Sequence, residues 1–147
     1  MLVGGAIFNL TGSSLSSKAD EAWSQAQKAE EEIDQICYYL KRLSKTAIKY
    51  RESLNTVNRI YKVHFNRLKR VVCDQQKTDW EQFTEDEKLC TENTILLVGL
   101  LYNMCKVELV RKSSEKDGMN KINSVQIEKS IADANQFLYE RNFSVYP

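Results

Sequence analysis

The residues that could support covalent chemistry are one histidine and four cysteines. His64 is the single histidine, and the thiols lie at Cys37, Cys73, Cys90 and Cys105. A general base needs a nucleophile within reach, and Cys73, nine residues after His64, does not lie on the same helical face. No C-x-x-C pair or other spacing supplies the four ligands of a zinc site. The sequence therefore predicts no enzyme, no bound metal and no cofactor.

The same cysteines bear on the redox environment. A chain of 147 residues is long enough to bury a core without covalent crosslinks. We therefore expect reduced thiols packed in apolar surroundings, which favours a cytoplasmic or otherwise reducing location.

A basic run is the most prominent charged feature of the chain. Residues 41–73 hold ten Lys or Arg against the single acid Glu52, whereas the flanking segments 18–36 and 74–92 carry net charges of −4 and −5. The candidate anion-binding residues are Arg59, Lys62, Arg67, Lys69 and Arg70. A one-sided basic stripe binds phosphates. Charge pairing within the chain, between this stripe and the acidic residues 79–92, would explain both the basic and the acidic segments, and we favour this interpretation over a nucleic-acid partner.

The elements that position these residues are helices. The only proline is Pro147, so nothing in the interior breaks a long helix. From Leu15 to Val71 the apolar positions recur at alternating spacings of four and three residues, interrupted only by His64. A 3.5-residue repeat sustained over eight heptads is typical of a coiled coil. We call these positions the heptad seam, and they predict a first helix over about residues 15–72.

Two shorter helices follow in the predicted order. Thr84 and Glu87 form a capping box, after which an apolar stretch predicts a core helix over about 85–112. Residues 113–123 carry turn-favouring Gly118 and Asn120, and a last amphipathic helix fits 124–141, with Asn123 or Ser124 as its cap. The predicted fold is all-α, a long antiparallel helical hairpin that becomes a three-helix coiled-coil bundle around residues 33–72.

The N-terminal segment supports a different hypothesis. Residues 1–14 are apolar and contain Gly4-Gly5, and the first basic residue is Lys18, so a secretory signal is not expected. This segment could be the remnant of a membrane segment, and residues 2–10 could then meet a bilayer. Residues 15–147 are interpreted as a single helical bundle domain.

The uncovered part of the seam gives the preferred functional hypothesis. The second helix reaches only about half of the first, which leaves the alanine-rich beginning of the seam without an intramolecular partner. We expect a non-enzymatic scaffold or interaction module that self-associates through coiled-coil contacts. Its partner-binding residues would be Leu15, Ala19, Ala22, Trp23, Ala26 and Ala29. A membrane-associated helical protein, of the pore-former or tether kind, is the alternative, and weak binding of an anionic polymer ranks third.

Overall fold

The structure, a computed structural model, describes residues 4–114 and 118–143, with side chains described from residue 14 onward. Three helices account for most of these residues: α1 (Gly4–Lys69), α2 (Glu85–Cys105) and α3 (Ser124–Glu140). The predicted all-α class with one very long first helix is confirmed. The chain divides into two compact units, unit 1, Met1–Arg42, and unit 2, Leu43–Pro147.

Helix α1 begins earlier than the sequence predicted. Its 66 residues start at Gly4 instead of at about residue 15, although several serines near that point could have served as caps. No proline interrupts the segment, and a glycine inside a helix costs only about 1 kcal/mol, so the helix continues through Gly12. At its other end, α1 passes into a π-helical turn, Arg70–Asp74, in place of the expected regular helix to residue 72.

The capping box that the sequence predicted is present at the start of α2. The Thr84 side chain accepts a hydrogen bond from the Glu87 backbone N–H, and a Glu87 carboxylate oxygen accepts one from the Thr84 N–H at 2.8 Å. Three acidic residues occupy the first turn, where the positive end of the helix dipole stabilises negative charge. Local sequence therefore fixes the point at which α2 begins.

Side-chain contacts fix the directions of the helices in unit 2. The Tyr50 hydroxyl donates a hydrogen bond of 2.7 Å to the Met104 carbonyl at the end of α2, whereas His64 contacts Cys90 near its beginning. Helix α2 is therefore antiparallel to α1. Tyr50 also hydrogen-bonds to Ser130 in α3 at 3.0 Å, and the ring of Phe143 lies 5.1 Å from that of His64. Helix α3 is therefore parallel to α1, as expected for a short helical bundle.

Helix α2 is shorter than predicted, because residues 106–112 are not helical. A two-residue strand, Val110–Arg111, pairs antiparallel with Lys121–Ile122, so the expected linker contains a small β-ladder. Asn123 precedes α3 but its side chain does not cap that helix. Its amide nitrogen instead donates to the Glu108 carbonyl at 3.0 Å, which ties the beginning of α3 to the segment after α2.

A C-terminal cap of α3 directs an aromatic ring into the core. Asn142 adopts a left-handed backbone conformation with φ of 50°, and its N–H donates to the Tyr139 carbonyl. The Phe143 N–H donates to the Leu138 carbonyl at 3.0 Å, which completes a Schellman motif. Both Leu138 and Phe143 are buried, so the motif closes α3 with an apolar contact.

The core of unit 2 forms where the seam of α1 meets α2 and α3. Tyr50, Val57 and Val71 from the seam are buried, and the largest fully buried side chains of the other two helices are Leu97, Met104 and Ile127. The prediction that the bundle begins near residue 33 is wrong, because Ile33, Ile36 and Leu40 are all exposed. The 21 residues of α2 span about 32 Å, which covers α1 only from about residue 50 onward.

The cysteines are free but do not share one environment. Cys90 is buried, whereas the other three thiols, Cys37, Cys73 and Cys105, are exposed. The expectation that all four pack in apolar surroundings is therefore wrong. Cys37 lies in α1, and Cys105 is the last residue of α2.

Candidate interaction surfaces

The first candidate surface is the seam of unit 1, which we call the proximal seam. It consists of eight consecutive heptad positions on one face of α1: Leu15, Ala19, Ala22, Ala26, Ala29, Ile33, Ile36 and Leu40. Every one of them is exposed. The four large aliphatic side chains expose between 46% and 68% of their surface. This face is apolar without being covered, which is unusual for a helix in water.

Trp23 lies at the edge of the proximal seam and is 68% exposed. It directly follows Ala22, so its ring flanks the apolar face instead of forming part of its centre line. A large aromatic ring beside a row of alanines supplies apolar area that the small side chains lack. All six partner-binding residues predicted from the sequence thus lie on or beside one exposed helical face of unit 1.

The second candidate surface is basic and lies on α1 in unit 2. Its five predicted residues are all exposed: Arg59, Lys62, Arg67, Lys69 and Arg70. Arg67 interacts electrostatically with His64 and Cys90. Among the side chains that the structure describes, none of the five forms an ion pair with an acidic residue. Direct charge matching with residues 79–92, the favoured interpretation of the sequence, is therefore not observed.

The acidic segment instead contributes to the start of α2. Glu87 pairs with Lys77 at 2.8 Å while also serving in the capping box, and Glu85 pairs with Lys88 at 3.1 Å. The Lys77 ammonium, through its hydrogen bond, and then the Thr84 N–H lower the pKa of Glu87. Glu85 and Glu87 therefore pair with lysines near the beginning of α2, and neither forms an ion pair with the basic surface.

The contact between His64 and Cys90 is the arrangement most similar to a catalytic pair. The Cys90 thiol lies 3.5 Å from the His64 carbonyl oxygen and 3.8 Å from Nδ1. Burial raises the pKa of the Cys90 thiol, and burial followed by the nearby Arg67 charge lowers the pKa of His64. A thiol with a raised pKa forms less of the nucleophilic thiolate. The pair therefore packs α1 against α2, and burial disfavours the thiolate form of Cys90.

Among the described residues of unit 2, one buried polar atom lacks a hydrogen-bond partner, and one of several clefts is lined by polar side chains. The buried atom is the Asn93 side-chain oxygen, which has no hydrogen-bond partner. This cleft, of about 300 Å³, lies between α2 and α3 and is lined in part by Asn103, Lys129 and Asp133. The Ser130 hydroxyl also lines it and is hydrogen-bonded to Tyr50. Within residues 14–114 and 118–143, no three His, Cys, Asp or Glu side chains are placed to hold a metal ion.

The predicted membrane contact lies outside the residues whose side chains are described. Residues 2–10 have no described side chains, and only the backbone from Gly4 onward is assigned to α1. Among the helices of the described residues, none combines the length and apolar character that crossing a bilayer requires. Contact of the N-terminal segment with a membrane stays a prediction, which liposome flotation with and without residues 1–12 would test.

In comparisons with known proteins, no protein-family model, no curated protein and no solved structure matches this chain significantly.

Proposed function

We propose that this protein is a non-enzymatic helical interaction module that self-associates through the proximal seam. The observation that carries the proposal is the continuity of the heptad repeat. The same spacing that buries Tyr50, Val57 and Val71 in unit 2 continues into unit 1, where the large aliphatic side chains are exposed. An apolar heptad face is stable in water when another helix covers it.

The exposed area is large enough for a specific contact. The four aliphatic side chains are about half exposed, and together with the alanines and Trp23 they offer roughly 650 Å² per copy. Two copies would then bury about 1,300 Å², within the range of specific interfaces.

The free energy of this contact predicts reversible association. At about 25 cal/mol per Å², burying the four aliphatic side chains of each copy, roughly 100 Å² apiece, contributes on the order of 20 kcal/mol per dimer. Association costs roughly 4–15 kcal/mol in lost freedom of motion. The surplus, after the further cost of ordering side chains at the contact, is on the order of the 8 kcal/mol that corresponds to a micromolar Kd. We therefore expect a dimer that forms and dissociates with concentration in the micromolar range.

A second copy is the proposed occupant because the described helices of the same chain are already engaged. Helices α2 and α3 bury Leu97, Met104 and Ile127 in the core of unit 2. Helix α2 also leaves apolar side chains such as Ile95 and Val98 exposed. A second copy presents the same uncovered face and is always present with the first, and most soluble oligomers are built from identical chains.

The test is sedimentation velocity of the full chain at about 1–200 μM, the range set by the estimated balance. The variant Ala22→Glu/Ala26→Glu places two charges on the proximal seam and should weaken association at least tenfold. The control Ser24→Glu/Gln27→Glu adds the same charge to the same helix turn, at positions outside the seam, and should change association less than threefold. A wild-type monomer over the whole range, or equal effects of the two variants, would refute the proposal.

The exposed basic surface supports a second candidate function, binding of an anionic polymer. The supporting observation is that Arg59, Lys62, Lys69 and Arg70 are exposed and unpaired within the described chain. Neutralising two such residues in Arg59→Gln/Lys62→Gln should reduce the salt needed for elution from heparin. The control Lys121→Gln/Lys129→Gln removes the same charge from exposed positions elsewhere. Equal shifts for the two variants would indicate only a general charge effect.

A further inference from the structure

The sizes of the side chains along the proximal seam are unevenly distributed. Small residues fill its first half, after Leu15, whereas the second half holds the large side chains Ile33, Ile36 and Leu40. In a parallel dimer in register, each residue would face its own copy. Four layers of paired alanines would then adjoin layers of paired isoleucines, and the spacing between the helices would have to widen along the contact.

We propose that two copies pair through the proximal seam in antiparallel orientation, with Ala26 facing the partner's Ala29. This inference rests on the self-association proposed above and adds its direction and register. In this alignment Ala22 faces the partner's Ile33, and Ala19 faces the partner's Ile36. Ile33 and Ile36 of the second half each meet an alanine of the first half, so the spacing between the helices varies less than in the parallel dimer, and Leu40 meets the partner's Leu15.

The same alignment uses every position of the proximal seam. Leu15 lies opposite the partner's Leu40, so all eight positions of the proximal seam are paired, from the first to the last. Its last position, Leu40, precedes half-buried Leu43, which is the next position of the heptad seam. The contact therefore ends where the seam first becomes partly covered within its own chain.

The charges beside the seam restrict the register. In the proposed alignment the flanking contacts are Trp23 with the partner's Glu30 and Gln25 with the partner's Glu32. A shift of one heptad in one direction places Glu30 against Glu30 and Glu32 against Glu32 of the two copies, which is unfavourable. The opposite shift pairs Ala19 with the partner's Ala29 and Ala22 with the partner's Ala26, so small side chains face small ones along the middle of the contact. Neither neighbouring register combines pairing of small with large side chains and compatible charges.

Disulfide crosslinking of copies that carry one introduced cysteine beside buried Cys90 tests the direction and the register. The background is the full chain with the exposed thiols replaced, Cys37→Ser/Cys73→Ser/Cys105→Ser. Ala22→Cys and Ile33→Cys are then introduced on separate, differently tagged copies. We expect a 1:1 mixture to form at least tenfold more covalent dimer than either variant alone. A mixture of Ala19→Cys with Ala22→Cys should remain uncrosslinked, because these positions lie about 20 Å apart in the proposed register.

The outcomes separate this inference from the function on which it rests. If Ala22→Cys or Ile33→Cys crosslinks alone as readily as in the mixture, the orientation is parallel and the inference is wrong, while self-association stands. If sedimentation finds only monomer, the proposed function is wrong as well. An exchange of volumes gives a second measurement: Ala22→Ile/Ile33→Ala should restore dimerisation that each single substitution weakens, because the exchanged side chains face each other.

Discussion

Tyr50 is the residue whose hydroxyl connects all three helices of unit 2, so its removal is a direct test of the bundle. The phenol donates to the Met104 carbonyl at 2.7 Å and lies 3.0 Å from the Ser130 hydroxyl. Because the phenol has one proton, the Ser130 hydroxyl is the donor in the second bond. Tyr50→Phe keeps the ring, which is 4% exposed, and deletes both bonds.

The expected cost follows from the partners left behind. The Met104 carbonyl retains a hydrogen bond from the Val107 N–H, so it is not left without a partner. Two hydrogen bonds at a net value of about 0.5–1.5 kcal/mol each, less a small gain from the apolar ring, predict a loss of about 1.5 kcal/mol. For a unit of this size that corresponds to a fall in Tm of roughly 6–12 °C.

Urea denaturation followed by circular dichroism measures this loss. The control is Tyr139→Phe, which makes the same substitution at a ring that is 83% exposed and should change the free energy of unfolding by less than about 0.5 kcal/mol. Ser130→Ala completes a double-mutant cycle, in which the losses should not add. Equal stability of Tyr50→Phe and Tyr139→Phe would show that the hydroxyl does not connect the helices as described.

Three further predictions concern single sites in unit 2. Burial lowers the pKa of His64 in the folded chain, so the unfolded chain binds the proton more tightly, and the free energy of unfolding should fall as pH drops below 6.5. Urea titrations at about pH 5.5 and about pH 7.5 measure this fall, and the His64→Gln variant should not show it. A Cβ added at Gly99 would meet no atom within 4 Å, so Gly99→Ala should raise the free energy of unfolding by about 0.5–1 kcal/mol, whereas a lower Tm would mean that this face of α2 is covered. A colorimetric thiol reagent should react quickly with three thiols of the folded chain and slowly with buried Cys90, and Cys90→Ser should abolish only the slow phase.

The parts of the fold that local sequence determines were predictable. The capping box at Thr84 and Glu87 fixed the beginning of α2, because both of its hydrogen bonds join residues three apart. The heptad spacing identified the inward face of α1, since Tyr50, Val57 and Val71 all lie in the core. In both cases the pattern and its structural cause lie within one or two helical turns.

The features that depend on distant residues were not predictable in the same way. The end of α2 at Cys105 is marked by neither glycine nor proline, and the strand at Val110–Arg111 exists because residues 121–122 pair with it. The contact of His64 with Cys90 joins residues 26 apart, and only the antiparallel packing brings them together. Asn142 was the available signal for the turn that carries Phe143 to His64, since asparagine is tolerated in left-handed conformations.

The two tryptophans are divided between the two units, Trp23 in unit 1 and Trp80 in unit 2. Trp80 stacks on Phe83 at a centroid distance of 5.6 Å, whereas the indole of Trp23 is largely open to water. Each unit therefore carries its own chromophore. With Trp80→Phe, emission and iodide quenching would report on the proximal seam alone, so one optical titration could follow the pairing of two copies without an attached dye.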